Sequence, residues 1–171
     1  MILLIHGAGS SSNYFNYISL WLDQELQAIA YKVGDDHDAI FSKIQRPDEV
    51  TYIIGHSYGG LLGAEWLSKD TRNVKGLLTI ATPWQGSPTA RILNWFLSDA
   101  VWNDMKPGSE LLRKINAINL LIPVKNIVAV PNRGNGLAGG GKSQNDGTIP
   151  VASARAIPSG FSKSKTIVIT G

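Results

Sequence analysis

The feature that most constrains this chain is the pentapeptide Gly55-His56-Ser57-Tyr58-Gly59, together with the segments on either side of it. An apolar run at residues 51–54 precedes it, and a run with helical spacing at residues 61–67 follows it. A serine between two glycines, at a junction of strand and helix, predicts a sharp, strained turn that exposes the serine hydroxyl. The glycines leave room for that turn, and the following helix would direct its backbone N–H groups towards the serine.

The rest of the chain alternates short apolar runs with helical patterns, which predicts a mostly parallel sheet with helices on both faces. The expected helices include one at residues 12–26, with Tyr14, Tyr17, Ile18, Trp21 and Leu22 on one face. The predicted fold class is therefore α/β, with a central sheet of about six strands, in a single domain over residues 1–171. We expect strands at residues 2–5, 27–31, 51–54, 75–81, 126–130 and 166–169, and further helices at 36–44, 58–69 and 107–117.

Composition excludes several classes of function. The chain has no cysteine, which rules out disulfides, thiol catalysis and cysteine metal sites. Its net charge is +3 and its basic residues are dispersed, so we expect no nucleic-acid partner. No constellation of metal ligands and no phosphate-binding loop is recognisable, so we expect no cofactor. No apolar run reaches about 18 residues, so we expect no membrane span. The run after Met1 is typical of a strand rather than a signal peptide, so we expect a cytoplasmic location, unless a leader was removed.

A serine hydroxyl becomes an effective nucleophile only with a general base, an orienting acid and hydrogen-bond donors for the developing oxyanion. A turn directly follows the first predicted strand, which should neighbour the strand before Ser57. We expect the backbone N–H groups of Ala8 and Tyr58 to form the oxyanion hole. His6 is expected to support this loop rather than to act as the base, and Gly7 would let the backbone approach the substrate closely.

Five blocks of the sequence together resemble the α/β-hydrolase superfamily, specifically its bacterial lipase and esterase branch. They span nearly the whole chain in the family's order: His6-Gly7-Ala8-Gly9, residues 55–60, Ala81-Thr82-Pro83-Trp84-Gln85-Gly86-Ser87, residues 105–112 and residues 145–154. The resemblance implies a minimal version of the fold, because no strand precedes Ile2. It also implies an enzyme that cleaves apolar acyl esters, small molecules or lipids, through an acyl-enzyme.

The resemblance implies Ser57 as the nucleophile and Asp146 as the acid that orients the base. The residues themselves favour Asp146 too, since it lies in a loop after a predicted strand, in the order serine, acid, histidine. An ordinary Asn-Asp-Gly turn stays open as the alternative. Residues 84–105 are rich in apolar side chains, and either a core helix or a wall of an apolar acyl site would account for them.

The base is missing from the place where the resemblance implies it. The chain has three histidines, His6, His37 and His56, and none follows the predicted acid. We expect His56 to support the site while pointing away from the line of attack, and His37 to lie on the surface beside three aspartates. Lys163 and Lys165 are alternatives for the base, but both should be solvated.

Three explanations of the missing base stay open. The sequence ends at Gly171, within a few residues of where the histidine is expected. Alternatively, another position or chain supplies the base, or the protein is a catalytically inactive relative that binds ligands. Removing the base from a serine hydrolase costs on the order of 10⁶ in kcat, so the chain as written would be nearly inert.

Overall fold

The computed structural model describes residues 1–32, 34–69, 72–88, 99–130 and 149–170. In this part of the chain six strands form one sheet, in the order β2-β1-β3-β4-β5-β6, and every neighbouring pair is parallel. The strands are β1 (Ile2–Ile5), β2 (Leu26–Ile29), β3 (Tyr52–His56), β4 (Gly76–Ile80), β5 (Val124–Val130) and β6 (Ser164–Thr170). The predicted fold class is confirmed. In a parallel sheet all carboxyl ends meet at one edge, where sites in open α/β sheets lie.

Six α-helices and two 3₁₀ turns connect the described strands. The helices are α1 (Asn16–Ser19), α2 (His37–Phe41), α3 (Tyr58–Lys69), α4 (Asp99–Met105), α5 (Glu110–Ala117) and α6 (Val151–Arg155), and the 3₁₀ turns are Ser12–Phe15 and Pro47–Glu49. Helix α3 has the predicted bounds. Helix α5 begins later than predicted because the Ser109 hydroxyl accepts a hydrogen bond from the Leu112 amide and caps it. Among the described helices, none is long and apolar enough to cross a lipid bilayer.

The helix predicted over residues 12–26 was wrong. A 3₁₀ turn and the single helical turn α1 take its place, so the helical repeat does not continue to residue 22. Tyr17 and Trp21, predicted on the same face as Ile18, are 81% and 86% exposed, whereas Phe15 is buried. A helical face is defined only while the repeat of 3.6 residues persists, and here it ends after one turn.

The sheet separates two apolar clusters, because successive side chains of a strand point to opposite faces. Leu3, Ile5 and Ile53 pack on the face covered by α3, while Ile2 and Leu4 pack with Phe15 on the other face. Helix α3 is buried from Tyr58 through Leu67. It therefore forms the centre of the molecule, and its amino terminus is fixed relative to the carboxyl ends of β1 and β3.

Candidate active site

Ser57 occupies the sharp strand-to-helix turn that the sequence predicts. It lies between β3 and α3 with φ of +52°, in the left-handed region that residues with side chains adopt only under constraint. Its amide donates to the Ile80 carbonyl at 2.8 Å, and its carbonyl accepts from the Gly60 amide at 3.0 Å. Ala81, at the end of the neighbouring strand, also has a positive φ of +50°. Backbone strain is thus concentrated at the carboxyl edge of β3 and β4.

Three glycines around Ser57 are required by close packing of backbone on backbone. A Cβ atom on Gly55 would lie 2.6 Å from both the Gly59 carbonyl oxygen and the Gly60 Cα. A Cβ on Gly59 would overlap the Ile5 carbonyl oxygen at the end of β1, and a Cβ on Gly60 would overlap the Thr82 hydroxyl after β4. The start of α3 therefore sits directly against the two strands that flank β3.

The turn after β1 contacts Ser57. A Cβ on Gly7 would lie 3.1 Å from the Ser57 Cβ and 3.0 Å from the His56 Nδ1. The Gly7 carbonyl accepts from His6 Nδ1 at 2.8 Å and from the Ser10 amide at 3.2 Å. Because the trans peptide is planar, a carbonyl held on one side aims the Ala8 N–H to the opposite side.

Tyr58 contributes the other predicted donor. Its amide is the first of α3, and the first amides of a helix have no acceptor within the helix. The residue follows Ser57 directly, so its N–H belongs to the same turn. The predicted donors, Ala8 and Tyr58, thus lie on two turns that both contact Ser57.

His6 is buried beside the loop that follows β1. Its ring stacks on Tyr31 with 4.1 Å between centroids, and the Tyr31 hydroxyl donates to the His6 carbonyl at 2.6 Å. Burial lowers the pKa of His6, although the hydrogen bond with Gly7 opposes the change. Within the part of the chain that the structure describes, His6 Nε2 has no hydrogen-bond partner. The ring is therefore neutral, with Nδ1 donating to the loop that carries Ala8.

His56 is half-buried and stacks on Tyr14, with ring centroids 4.5 Å apart and planes inclined by 14°. It also contacts the loop at Gly7. These contacts place His56 beside Ser57, and its supporting role stays a prediction.

The expectation that His37 lies on the surface holds only in part, because its side chain is 21% exposed and lines a cleft. Its Nδ1 lies 2.5 Å from Glu65 Oε2, and its Nε2 lies 2.8 Å from the Tyr58 hydroxyl and 3.2 Å from Asp104 Oδ2. The three neighbouring aspartates suggested a solvent-exposed position, but each of them bonds to a group other than His37. Asp36 caps α2 at the Ala39 amide, Asp35 pairs with Lys43, and Asp38 pairs with Lys69. This arrangement leaves His37 to turn inward.

A buried polar network that the sequence analysis missed anchors α6 at the same edge of the sheet. The Asn126 side chain of β5 accepts from the Thr79 hydroxyl at 2.9 Å and donates to the Ala154 carbonyl at 2.7 Å. The Ser153 hydroxyl donates to the Gly86 carbonyl at 2.6 Å. An asparagine in an otherwise apolar strand run was the signal available in the sequence.

Asp146 lies outside the described residues, as do residues 89–98 of the apolar stretch at residues 84–105. The described part of that stretch belongs to the core, because Trp84, Val101 and Met105 are buried. No cluster of histidine, aspartate and glutamate in the described segments is arranged to hold a metal ion.

Comparison with known proteins gives matches in structure but none in sequence. No protein-family model and no curated protein matches the sequence. The phospholipase PlaB of Legionella pneumophila superposes with a TM-score of 0.69 at 18% identity, over 90% of this chain and 45% of its own. The chain thus spans less than half of that phospholipase.

Two further matches cover more of the other protein. A monoacylglycerol lipase of Paleococcus ferrophilus matches 99% of this chain and 84% of its own, with a TM-score of 0.65 at 14% identity. A structure from a study of carboxylesterases of Nitrososphaera gargenis matches 99% and 81%, with a TM-score of 0.62 at 13% identity. These TM-scores establish the fold, while identities this low leave the reaction to be proposed. With its single parallel sheet, the chain has the α/β-hydrolase fold, in a minimal form.

Proposed function

We propose that the protein is a serine hydrolase of carboxylic esters in which Ser57 is the nucleophile. The observation that supports this most strongly is the positive φ of Ser57 at a strand-to-helix turn, where neighbouring glycines exclude side chains. Strained backbone persists where surrounding structure enforces it, and it is concentrated at functional sites.

In the proposed reaction the Ser57 hydroxyl oxygen attacks the ester carbonyl carbon while the base takes its proton. The carbonyl oxygen becomes an oxyanion and accepts hydrogen bonds from the Ala8 and Tyr58 amides. The intermediate collapses, the alcohol leaves with the proton from the base, and the acyl group stays on Ser57. Water then attacks the acyl-enzyme by the same route, which releases the acid and restores the serine. Asp146 would orient the base in both steps.

The base is proposed to come from outside the residues that the structure describes. His37 already uses both ring nitrogens on Glu65, Asp104 and Tyr58. His6 is enclosed, with its Nδ1 on the Gly7 carbonyl. A histidine after Asp146, as the sequence resemblance implies, would act in the order typical of the fold.

The proposed substrates are esters with an apolar acyl group, including lipids. Two of the matching structures are of a phospholipase and a monoacylglycerol lipase, and a third comes from a study of carboxylesterases. The second candidate function is a binding module without catalysis. It is favoured by the engagement of His37 and by the position of all three histidines before Asp146.

The test is hydrolysis of p-nitrophenyl esters of increasing acyl length. Residues 1–171 are assayed beside the chain that includes any residues its gene encodes after Gly171. In the longer chain Ser57→Ala should reduce kcat by about 10⁶. Ser162→Ala is the matched control, because this exposed serine precedes β6 at the opposite edge of the sheet and should not matter.

A fluorophosphonate probe should label Ser57, as mapped by peptide mass spectrometry, and should not label the Ser57→Ala variant. If the longest natural chain neither hydrolyses any ester nor reacts with the probe, the hydrolase proposal fails and the binding module takes its place.

A further inference from the structure

Tyr58 connects the turn at Ser57 with a charged cluster formed by His37, Glu65 and Asp104. Its backbone belongs to the turn, but its side chain is only 2% exposed and runs into the interior. The phenol donates to Asp104 Oδ2 of α4 at 2.5 Å and accepts from His37 Nε2 of α2 at 2.8 Å. An apolar side chain would fill the same space without these contacts. The residue after Ser57 is therefore tied to two other helices.

His37 bridges two carboxylates from different helices. Glu65 Oε2 of α3 lies 2.5 Å from its Nδ1, and Asp104 Oδ2 of α4 lies 3.2 Å from its Nε2. A neutral imidazole has one N–H donor, so donating from both nitrogens requires the imidazolium. Hydrogen bonds with Asp104 and then Glu65 raise the pKa of His37 to about 9, against the opposing effect of burial. The ring is thus charged at neutral pH.

Most of the other charged groups around the cleft form ion pairs that do not involve His37. The cleft beside the ring has a volume of about 580 Å³, and the other charged groups that line it are Lys32, Asp35 and Asp36 before α2, Asp38 of α2, Lys69 of α3, and Glu110 and Lys114 of α5. Asp35 pairs with Lys43, Asp38 with Lys69, and Glu110 with Lys114. Among the described residues His37 is the cation in direct contact with both Glu65 and Asp104, whereas Lys114 attracts the two carboxylates through space and pairs with Glu110.

We propose that His37 is a positioning residue for the hydrolysis proposed above. By bridging Glu65 and Asp104 it holds the Tyr58 phenol in place, and the fixed phenol keeps the Tyr58 amide directed towards the oxyanion. When His37 loses its Nε2 proton, the Tyr58 phenol and Asp104 both lose the N–H that faces them, and they relax together. The catalytic part of this inference rests on the proposed function, whereas the coupling of His37 to the Tyr58 amide does not.

The expected kinetic effect falls on kcat. An oxyanion donor must sit about 2.7–3.1 Å from the developing charge, and removing one completely costs about 10²–10³ in kcat. A donor that is present but misaimed should cost less, about tenfold. An interaction made only in the transition state changes kcat and leaves KM nearly constant.

The first experiment compares pH profiles of kcat for the full natural chain and its Tyr58→Phe variant. The wild type should lose activity above about pH 9 as His37 deprotonates. Tyr58→Phe keeps the ring and the amide but removes the phenol, so kcat should fall about tenfold and the loss above pH 9 should disappear. Tyr52→Phe, at the exposed start of β3, is the matched control and should change neither. An unchanged profile in Tyr58→Phe would overturn the proposal.

The second experiment needs no activity. The His37 ring and the Tyr58 backbone amide are followed by NMR from pH 6 to 10.5, and both should titrate with one apparent pKa. Asp104→Asn should lower that pKa for both nuclei together. A Tyr58 amide that stays constant while His37 titrates overturns the inference. A coupled titration in a protein that cleaves no ester keeps the coupling of His37 to the Tyr58 amide and overturns the hydrolase proposal together with the catalytic part of this inference.

Discussion

The turn at Ser57 and the cluster at His37 share Tyr58 but are held together by different forces. Around Ser57 backbone packs on backbone, and a single added carbon on Gly59 would overlap the Ile5 carbonyl. Around His37 charged side chains meet in a half-exposed cleft, with partners 28 and 67 residues away in the sequence. The packing of the first region depends on shape, so pH should reach it only through Tyr58. The second depends on charge, so its strength should vary with protonation.

The largest effect is expected from a side chain at the tight turn. In Gly59→Ala the new Cβ meets the carbonyl oxygens of Ile5 and His6, which are backbone atoms and cannot rotate away. Overpacking of this kind costs about 3 kcal/mol or more. Gly108→Ala is the matched control, since nothing lies within 4 Å of its Cβ and only its φ of +76° opposes the change, at about 1 kcal/mol. Urea unfolding measures both; equal costs would contradict the steric account.

The next effect tests which atom limits the space at Gly60. A Cβ there overlaps the Thr82 hydroxyl, and Thr82 is fully buried. Gly60→Ala should therefore cost about 2–3 kcal/mol, and the cost should fall by at least about 1 kcal/mol in the Thr82→Ala background. A double-mutant cycle of unfolding free energies measures the coupling. Additive costs would show that the helix start is limited elsewhere.

The third effect should appear only in the charged region. The folded-state pKa of His37 is raised to about 9 from 6.5, so its stabilisation is complete below pH 6.5 and is lost as pH rises through about 9. The unfolding free energy should fall by about 2 kcal/mol over that range, allowing for screening at a half-exposed site. His37→Gln should flatten this dependence. His6 does not interfere, because its pKa is lowered and its effect lies below pH 6.5.

The smallest effect is expected from an ion pair at the rim of the same cleft. Lys114 and Glu110 are 3.1 Å apart on α5, with side chains 61% and 75% exposed. Lys114→Met should leave the unfolding free energy nearly unchanged, since exposed helical pairs contribute little. If Lys114→Met lowered the unfolding free energy as much as His37 deprotonation does, solvent exposure would not explain the difference between the two sets of ion pairs.

Local patterns in the sequence predicted what local geometry controls. The β3 strand, the turn at Ser57 and the bounds of α3 follow from an apolar run, three closely spaced glycines and a helical repeat within residues 51–69. The parallel sheet follows from the alternation of such units. The prediction failed where tertiary packing overrode the pattern: over residues 12–26 a 3₁₀ turn and one helical turn replace the predicted helix. Helix α6 of five residues was not predicted at all.

By itself, then, the sequence determined the fold class and the strained turn at Ser57, because steric limits act between residues close along the chain. Only the tertiary structure decided the partners of His37, since Glu65 and Asp104 come from α3 and α4 and meet it only after α2 packs against them. The same holds for Asn126, whose amide lies in an apolar strand yet joins β4 to α6. A charged or polar side chain is stabilised by whatever faces it, and what faces it is set by packing over long sequence separations.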